Sequence, residues 1–367
     1  MHARPWAILA AIAIALAVMA AGAWWKQLRP TGVHPGFTQG FVDLNRRMDD
    51  DATAVAYDPT LKILAVGRDS GRLELWDASQ PDARITRQAH TYRIEHIAFG
   101  AADGIVLTSS VGSNVMGTDP EGVPKVWDAR TGDLLLAVPG EWSGGPLLAA
   151  PVSGHYLLSS YDELRIYDHS RRAIVGEPLR VEGGVTALGM DPGSNLVAVG
   201  SSNGELLLLR LVVQDESARL DVVSRAHTHG KEPRTDVLAV MLRDNSERLV
   251  SVHWLPEAQR RDLSPKIAGE QAEVVQWNTR DWRRERSYPI SLQAVHWASY
   301  TPGVPWLVLA GNESTRGRIE LVDLSAGVAW RYRANTSHPV AVLIPEARTG
   351  LILQSGGATQ IRYLDQE

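Results

Sequence analysis

Apolar and polar residues alternate in short runs along most of the chain, and the runs come in groups of four. The clearest stretch is Ala65–Ala78, AVGRDSGRLELWDA. An apolar run there ends in Asp69-Ser70-Gly71, and an alternating segment follows with Leu73 and Leu75 and closes on Trp76-Asp77. Turn residues between two such runs predict a β-hairpin. The same strand ending recurs as KVWDA at Lys125–Ala129, RIYDH at Arg165–His169 and VQWNT at Val275–Thr279. Ala54–Tyr57, Lys62–Val66, Arg72–Trp76 and Arg84–Gln88 read as the four strands of a first unit. The order restarts near Ile94, Pro146, Val185, Asp236, Ala294 and Pro339. The fourth unit, Val185–Leu209, parallels the first almost position by position.

Asp77, Asp128, Asp168, Arg210, Asn278, Asp323 and Asp365 close the third strands, at spacings of 51, 40, 42, 68, 45 and 42. The base period of 40–42 residues with insertions is that of a four-stranded propeller blade. An all-β, seven-bladed β-propeller over residues 41–367 is therefore expected. The last unit has three strands only, ending at Leu364. An open sheet edge is an aggregation liability, so Phe41–Arg46, FVDLNR, is expected to complete the seventh blade.

On these motifs the chain resembles the WD40-repeat family from Phe41 to Glu367. Trp76-Asp77 and Trp127-Asp128 carry the resemblance, and Tyr167-Asp168 and Trp277-Asn278 are softer versions. The family's Gly-His survives weakly, as Ala89-His90 and Ala226-His227, and Leu209, Val322 and Leu364 stand where the family has Trp. The resemblance implies a non-catalytic protein-binding scaffold. It also implies that loops between second and third strands share one face with the joins between blades.

The amino-terminal region changes the setting. After a leader, residues 1–5, Trp6–Trp25 is an apolar run without a charge, long enough for a hydrocarbon core of about 30 Å, with Trp at both ends. It reads as a transmembrane signal anchor, followed by a linker over 26–40 with Pro30, Gly32, Pro35, Gly36 and Gly40. Ala21-Gly22-Ala23 also fits a signal-peptide cleavage site. Both readings export the body. The expected placement is a single pass in the inner membrane with a periplasmic propeller, in a Gram-negative source.

Composition narrows the chemistry. The 44% hydrophobic content supports a large core, and the net charge of −5 argues against a nucleic-acid partner. With no cysteine, disulfides and thiolate sites are excluded. There is no phosphate-binding glycine loop or His-Glu-x-x-His motif. The expectation is no enzyme, no cofactor and no metal.

Insertions at Val111–Val123, Pro256–Ala272, Asn312–Gly317 and Asp221–Thr235 gather on the one face the resemblance implies, and such loops are where function sits. The expected partner face comprises Trp254, Glu257, Arg260, Arg261, Lys266, His227, His229, Asn114, Met116 and Asn312. The partner is expected to be a membrane or envelope protein. His227-Thr228-His229, with His90 or His253, lacks a clear carboxylate and reads as a solvated loop rather than a metal site. Asp49-Asp50-Asp51 reads as a charged turn, and Arg280–Arg286, RDWRRER, as an exposed outer connection. Trp142, Trp254, Trp282 and Trp306 read as packing residues. The competing function is an exported enzyme or a ligand or metal sensor using the central channel mouth.

Overall fold

A computed structural model describes residues 37–43 and 50–364, apart from 78–82, 101–103, 111–122, 141, 151–153, 192, 215–216, 230–234, 256–271, 291, 293, 301–304, 314–315, 334–338, 345–348 and 354–358. The protein is an all-β propeller. A strand β1 (Phe37–Asp43) precedes blade 1, which holds β2 (Ala52–Asp58), β3 (Ile63–Arg68), β4 (Arg72–Asp77) and β5 (Arg84–Gln88). Blade 2 holds β6 (Ile94–Gly100), β7 (Ile105–Ser110), β8 (Lys125–Asp128) and β9 (Leu134–Ala137). Blade 3 holds β10 (Leu147–Ala150), β11 (His155–Ser160), β12 (Glu163–Asp168) and β13 (Ala173–Arg180). Blade 4 holds β14 (Val185–Met190), β15 (Leu196–Ser201), β16 (Glu205–Gln214) and β17 (Ser217–His227). Blade 5 holds β18 (Val237–Arg243), β19 (Arg248–Trp254), β20 (Ala272–Asn278) and β21 (Arg284–Pro289). Blade 6 holds β22 (Ala294–Tyr300), β23 (Trp306–Glu313), β24 (Arg316–Asp323) and β25 (Val328–Arg333).

Six blades, not seven, are thus contiguous in the sequence. The last strands, β26 (Val340–Ile344), β27 (Thr349–Leu353) and β28 (Thr359–Leu364), lie in a composite sheet of order β1-β28-β27-β26. Three strands leave one edge of β28 with no chain-local partner, and β1 supplies it, with Phe41 opposite Arg362 and Asp43 opposite Gln360. The described strand, Phe37–Asp43, overlaps the expected 41–46 over 41–43, and 44–46 lie outside the described residues. Val340 and Val342 pack with Ala52, Val55, Leu64, Val66 and Trp76 of blade 1. Ala341 packs with Val308, Ala310, Ile319 and Leu321 of blade 6.

Burial follows strand position. Second strands are sealed on both faces, as in β3, β7 and β11, where every residue is buried. The inner strand β14 alternates buried and half-buried residues toward the channel, and the outer β13 is mostly exposed. The aspartates ending third strands act locally. Asp128 Oδ1 accepts the backbone N–H groups of Arg130 and Thr131 at 2.8 and 2.7 Å. Asp168 does the same for Ser170 and Arg171, and Asp323 for Ser325 and Ala326. Each carboxylate satisfies the donors of the turn into the fourth strand.

One further expectation fails here. Asp221–Thr235 is not an insertion loop through its first half, because β17 extends to His227 and pairs with all of β16. An outer strand is solvated on one side, so its polar content mimics a loop. Among the described residues no helix is long and apolar enough to cross a membrane. Trp6–Trp25 lies outside them.

Candidate functional site

Strands alternate in direction within a blade, so the turns from second to third strand emerge on the same face as the joins between blades. The contacts agree: the N–H groups of Ala89 and His90, in the join from blade 1 to blade 2, both donate to Gly71 O at 3.0 Å. In the join from blade 4 to blade 5, Thr228 N donates to Gly204 O at 3.0 Å. Gly71 and Gly204 have φ of +77° and +81°, and a Cβ on Gly71 would strike the carbonyl of His90.

At the first of these joints His90 Nε2 lies 2.8 Å from Thr108 Oγ1, which also accepts Trp127 Nε1–H at 3.0 Å. His90 and Thr108 are buried. The motif Trp thus ties the second strand, the third strand and the join together. In blade 1 Trp76 Nε1 donates to Glu74, which also pairs with Arg68 at 2.9 Å in the interior.

The joint from blade 4 to blade 5 is built differently. Gln88 opposes Arg72, next to Gly71, whereas His227 opposes Glu205, next to Gly204. The residue standing where His90 stands is therefore His229, two positions beyond the expected Ala226-His227. Strand register makes Ser251 the counterpart of Thr108, and Trp277 Nε1 donates to Ser251 Oγ at 2.8 Å. Here His253 occupies the Ser110 position, fully buried, with Nδ1 3.1 Å from Ser251 Oγ. Glu273 lies directly across from it.

Three groups converge at that point. His229 Nε2 and His253 Nε2 lie 2.7 and 3.1 Å from Glu273 Oε1, and 3.2 Å from each other. Arg284 Nη2 donates to both oxygens of Glu273 at 2.8 Å, and Ser287 Oγ to Oε2 at 2.9 Å. Burial alone would raise the Glu273 pKa, but hydrogen bonds from His229 and His253, with the charge of Arg284, hold it well below the carboxylate range. Burial pushes the His253 pKa down against the pull of Glu273. The pair rests as a carboxylate beside a neutral imidazole. Sequence reading missed Glu273. The signal for it was its register opposite His253, on the far side of an insertion.

The same face carries two exposed aromatics that were also missed. Tyr92 is 40% exposed and Tyr161 is 68% exposed. Tyr161 adopts φ +52°, an uncommon backbone for a bulky residue. It is held there from both sides, as its N–H donates to Ser143 Oγ at 3.0 Å and its carbonyl accepts Val185 N–H at 3.1 Å.

Of the expected partner-face residues, Trp254, His227, His229 and Asn312 are described. Trp254 packs against the core of blades 5 and 6, and His227 and Asn312 are half-buried. Glu257, Arg260, Arg261, Lys266, Asn114 and Met116 lie outside the described residues. Three of the four arginines of RDWRRER are engaged: Arg280 pairs with Glu247 at 2.6 Å, Arg284 with Glu273, and Arg286 donates to Ser325 O at 2.8 Å. Asp50 is buried and binds Ser70 N–H, the Ser70 hydroxyl and the Arg72 guanidinium. Trp142 is buried, and Trp282 and Trp306 are half-buried against neighbouring core.

The inner strands enclose a central cavity of about 950 Å³ whose wall includes Arg93, Glu95, His96, His296 and Tyr300. Burial pushes the His96 pKa down to about 4, so its ring is neutral at physiological pH. No protein-family model matches this chain, and no curated protein matches it in sequence.

Proposed function

We propose that this chain is a WD40-like, seven-bladed ring, the composite β1-β28-β27-β26 sheet being the seventh blade. It is held at a membrane by Trp6–Trp25 and serves as a non-catalytic platform for a membrane or envelope protein. The partner docks on the face where second-to-third turns and blade joins emerge. The observation that carries this reading is Tyr161, an exposed aromatic in a left-handed backbone conformation clamped by both flanking connections. Such strain persists where surroundings over-determine it and clusters at functional positions. Tyr is also enriched at protein interfaces, where one flat ring supplies large area at low entropy cost. Tyr92, also exposed on the same face, enlarges the surface.

The test is affinity purification of the full-length chain from gently solubilised native membranes. It is run beside Tyr92→Ala/Tyr161→Ala and a variant with 257–271 replaced by Gly-Asn. Co-purification of a partner that either folded variant loses supports the platform. A parent that emerges alone sinks it. The cavity, with its titratable lining, favours a second reading in which a small polar ligand binds along the channel axis.

A further inference from the structure

The joint between blades 4 and 5 carries donors that the equivalent joint between blades 1 and 2 lacks. We infer that His229 Nε2, His253 Nε2 and Glu273 Oε1 form a binding site for one divalent transition-metal ion, with zinc the closest match to the donor set. The inference stands apart from the platform reading, since it rests only on these side chains.

The geometry is close to what an ion needs. The three atoms form a triangle with edges of 2.7, 3.1 and 3.2 Å. A tetrahedral ion with bonds of about 2.0–2.1 Å spaces its ligand atoms by roughly 3.3 Å. An ion at that bond length would sit about 1 Å out of the triangle plane, so the ligands need to shift by only a few tenths of an ångström. Two imidazoles with one carboxylate also match the donor types that zinc takes, and leave a fourth position for water or a partner's side chain.

The ion-free hydrogen bonding is crowded. Glu273 Oε1 lies within bonding reach of His229, His253 and Arg284 at once. The two imidazole nitrogens also face each other at 3.2 Å. If both carry protons, the N–H groups compete for one oxygen. If either lacks its proton, a lone pair already points into the triangle. A cation at the centre uses all three lone pairs and removes that competition.

The surroundings support the donors. Ser251 Oγ accepts Trp277 Nε1–H and can accept Nδ1–H of His253 with its second lone pair, which turns the Nε2 lone pair toward the cluster. Ser287 holds the other oxygen of Glu273. His229 and Glu273 are largely shielded and His253 is fully buried, so bulk water competes little for the ion. Arg284 is the opposing element, a positive charge on the carboxylate the ion would use. Its guanidinium is anchored independently over the Trp277 ring at 5.6 Å and is 41% exposed, so it can relax outward.

The test uses the full-length chain in mild detergent, freed of metal by a chelator. Zinc alone is titrated by calorimetry, and cobalt(II) is followed by visible absorption. The expected result is one ion per chain. His229→Ala and Glu273→Gln weaken binding at least tenfold, on the order expected for disrupting ligand sets. His227→Ala leaves it unchanged, and Arg284→Gln tightens it several-fold by removing the competing charge. Far-ultraviolet dichroism reports whether each variant folds. A parent that takes up no ion overturns the inference whatever the variants do. So does uptake equal in the parent, His229→Ala and Glu273→Gln, which would assign the cluster to pinning the blade join alone.

Discussion

The joint between blades 1 and 2 and the joint between blades 4 and 5 solve one packing problem with different chemistry. In the first, a single hydroxyl, Thr108 Oγ1, serves both His90 and Trp127. In the second, Ser251 still receives Trp277, but His253 and Glu273 interpose between it and His229. The first joint has no carboxylate among these groups: Thr108 links His90 and Trp127, and Lys125 Nζ donates to the Ala89 carbonyl at 2.7 Å. The second buries a carboxylate, two imidazoles and the edge of a guanidinium. Replacing a hydroxyl (Ser110) and an aliphatic side chain (Val123) by His253 and Glu273 thus turns a fastening into a donor cluster without altering strand register.

The largest effect should come from the glycines on which the joints turn. Gly71→Ala forces a Cβ into the backbone carbonyl of His90, and should cost at least about 3 kcal/mol. At Gly204 the obstructing atoms are the side-chain hydroxyls of Thr235 and Thr228, which can rotate. Gly204→Ala should cost closer to the left-handed backbone penalty of about 1–2 kcal/mol. Urea unfolding of the pair checks this, and equal losses would mean that backbone obstruction is not what separates the joints.

Next comes Thr108→Val, which keeps the shape and removes the shared hydroxyl. Two buried groups, His90 Nε2 and Trp127 Nε1, lose their partner, for a cost of about 2–3 kcal/mol. Ser251→Ala should cost less, about 1–2 kcal/mol, because His253 retains Glu273 and His229. A larger loss in blade 5 than in blade 2 would invert the comparison. Both are read from the denaturant midpoint at unchanged slope.

The smallest expected effect is on acid stability. At the Gly71 turn, burial of Asp50 opposes ionisation, but hydrogen bonds from Ser70 and Arg72 lower its pKa below 3.8. A carboxyl depressed on folding contributes stability that is present above its unfolded pKa and lost as pH falls through its folded one. Asp50→Asn should therefore flatten the stability profile below about pH 4 and leave its shape at neutral pH unchanged. An unaltered acid limb, measured by thermal unfolding across pH, would remove Asp50 from the account.

What sequence alone made legible were the features set by local chemistry. Trp127-Asp128 stands out because its aspartate caps a turn within three residues of itself, accepting from Arg130 and Thr131. The inner hairpins were visible because alternation of Leu73 and Leu75 with polar neighbours is a short-range pattern. What escaped depends on register across strands. Ala226-His227 looks like Ala89-His90 in sequence, yet the pairing of β16 with β17 moves the equivalent position to His229. Glu273 is separated from His253 by the whole 256–271 insertion, and only the β19–β20 ladder brings them together. Tyr161 escaped because nothing in Tyr161-Asp162 announces a left-handed backbone that glycine would occupy more cheaply.

The pairing of β1 with β28 has a consequence in time. During synthesis the chain emerges from its amino end, so β1 is made before the other described strands and β28 after them. About 320 residues separate them, which at roughly 5–20 residues per second is a wait of about 15–60 s. Through that interval every blade can form its own hairpins, but the sheet that joins the two ends cannot. A waiting β1 is an edge strand in search of a partner, and the strand edges of neighbouring unfinished chains are then its competitors.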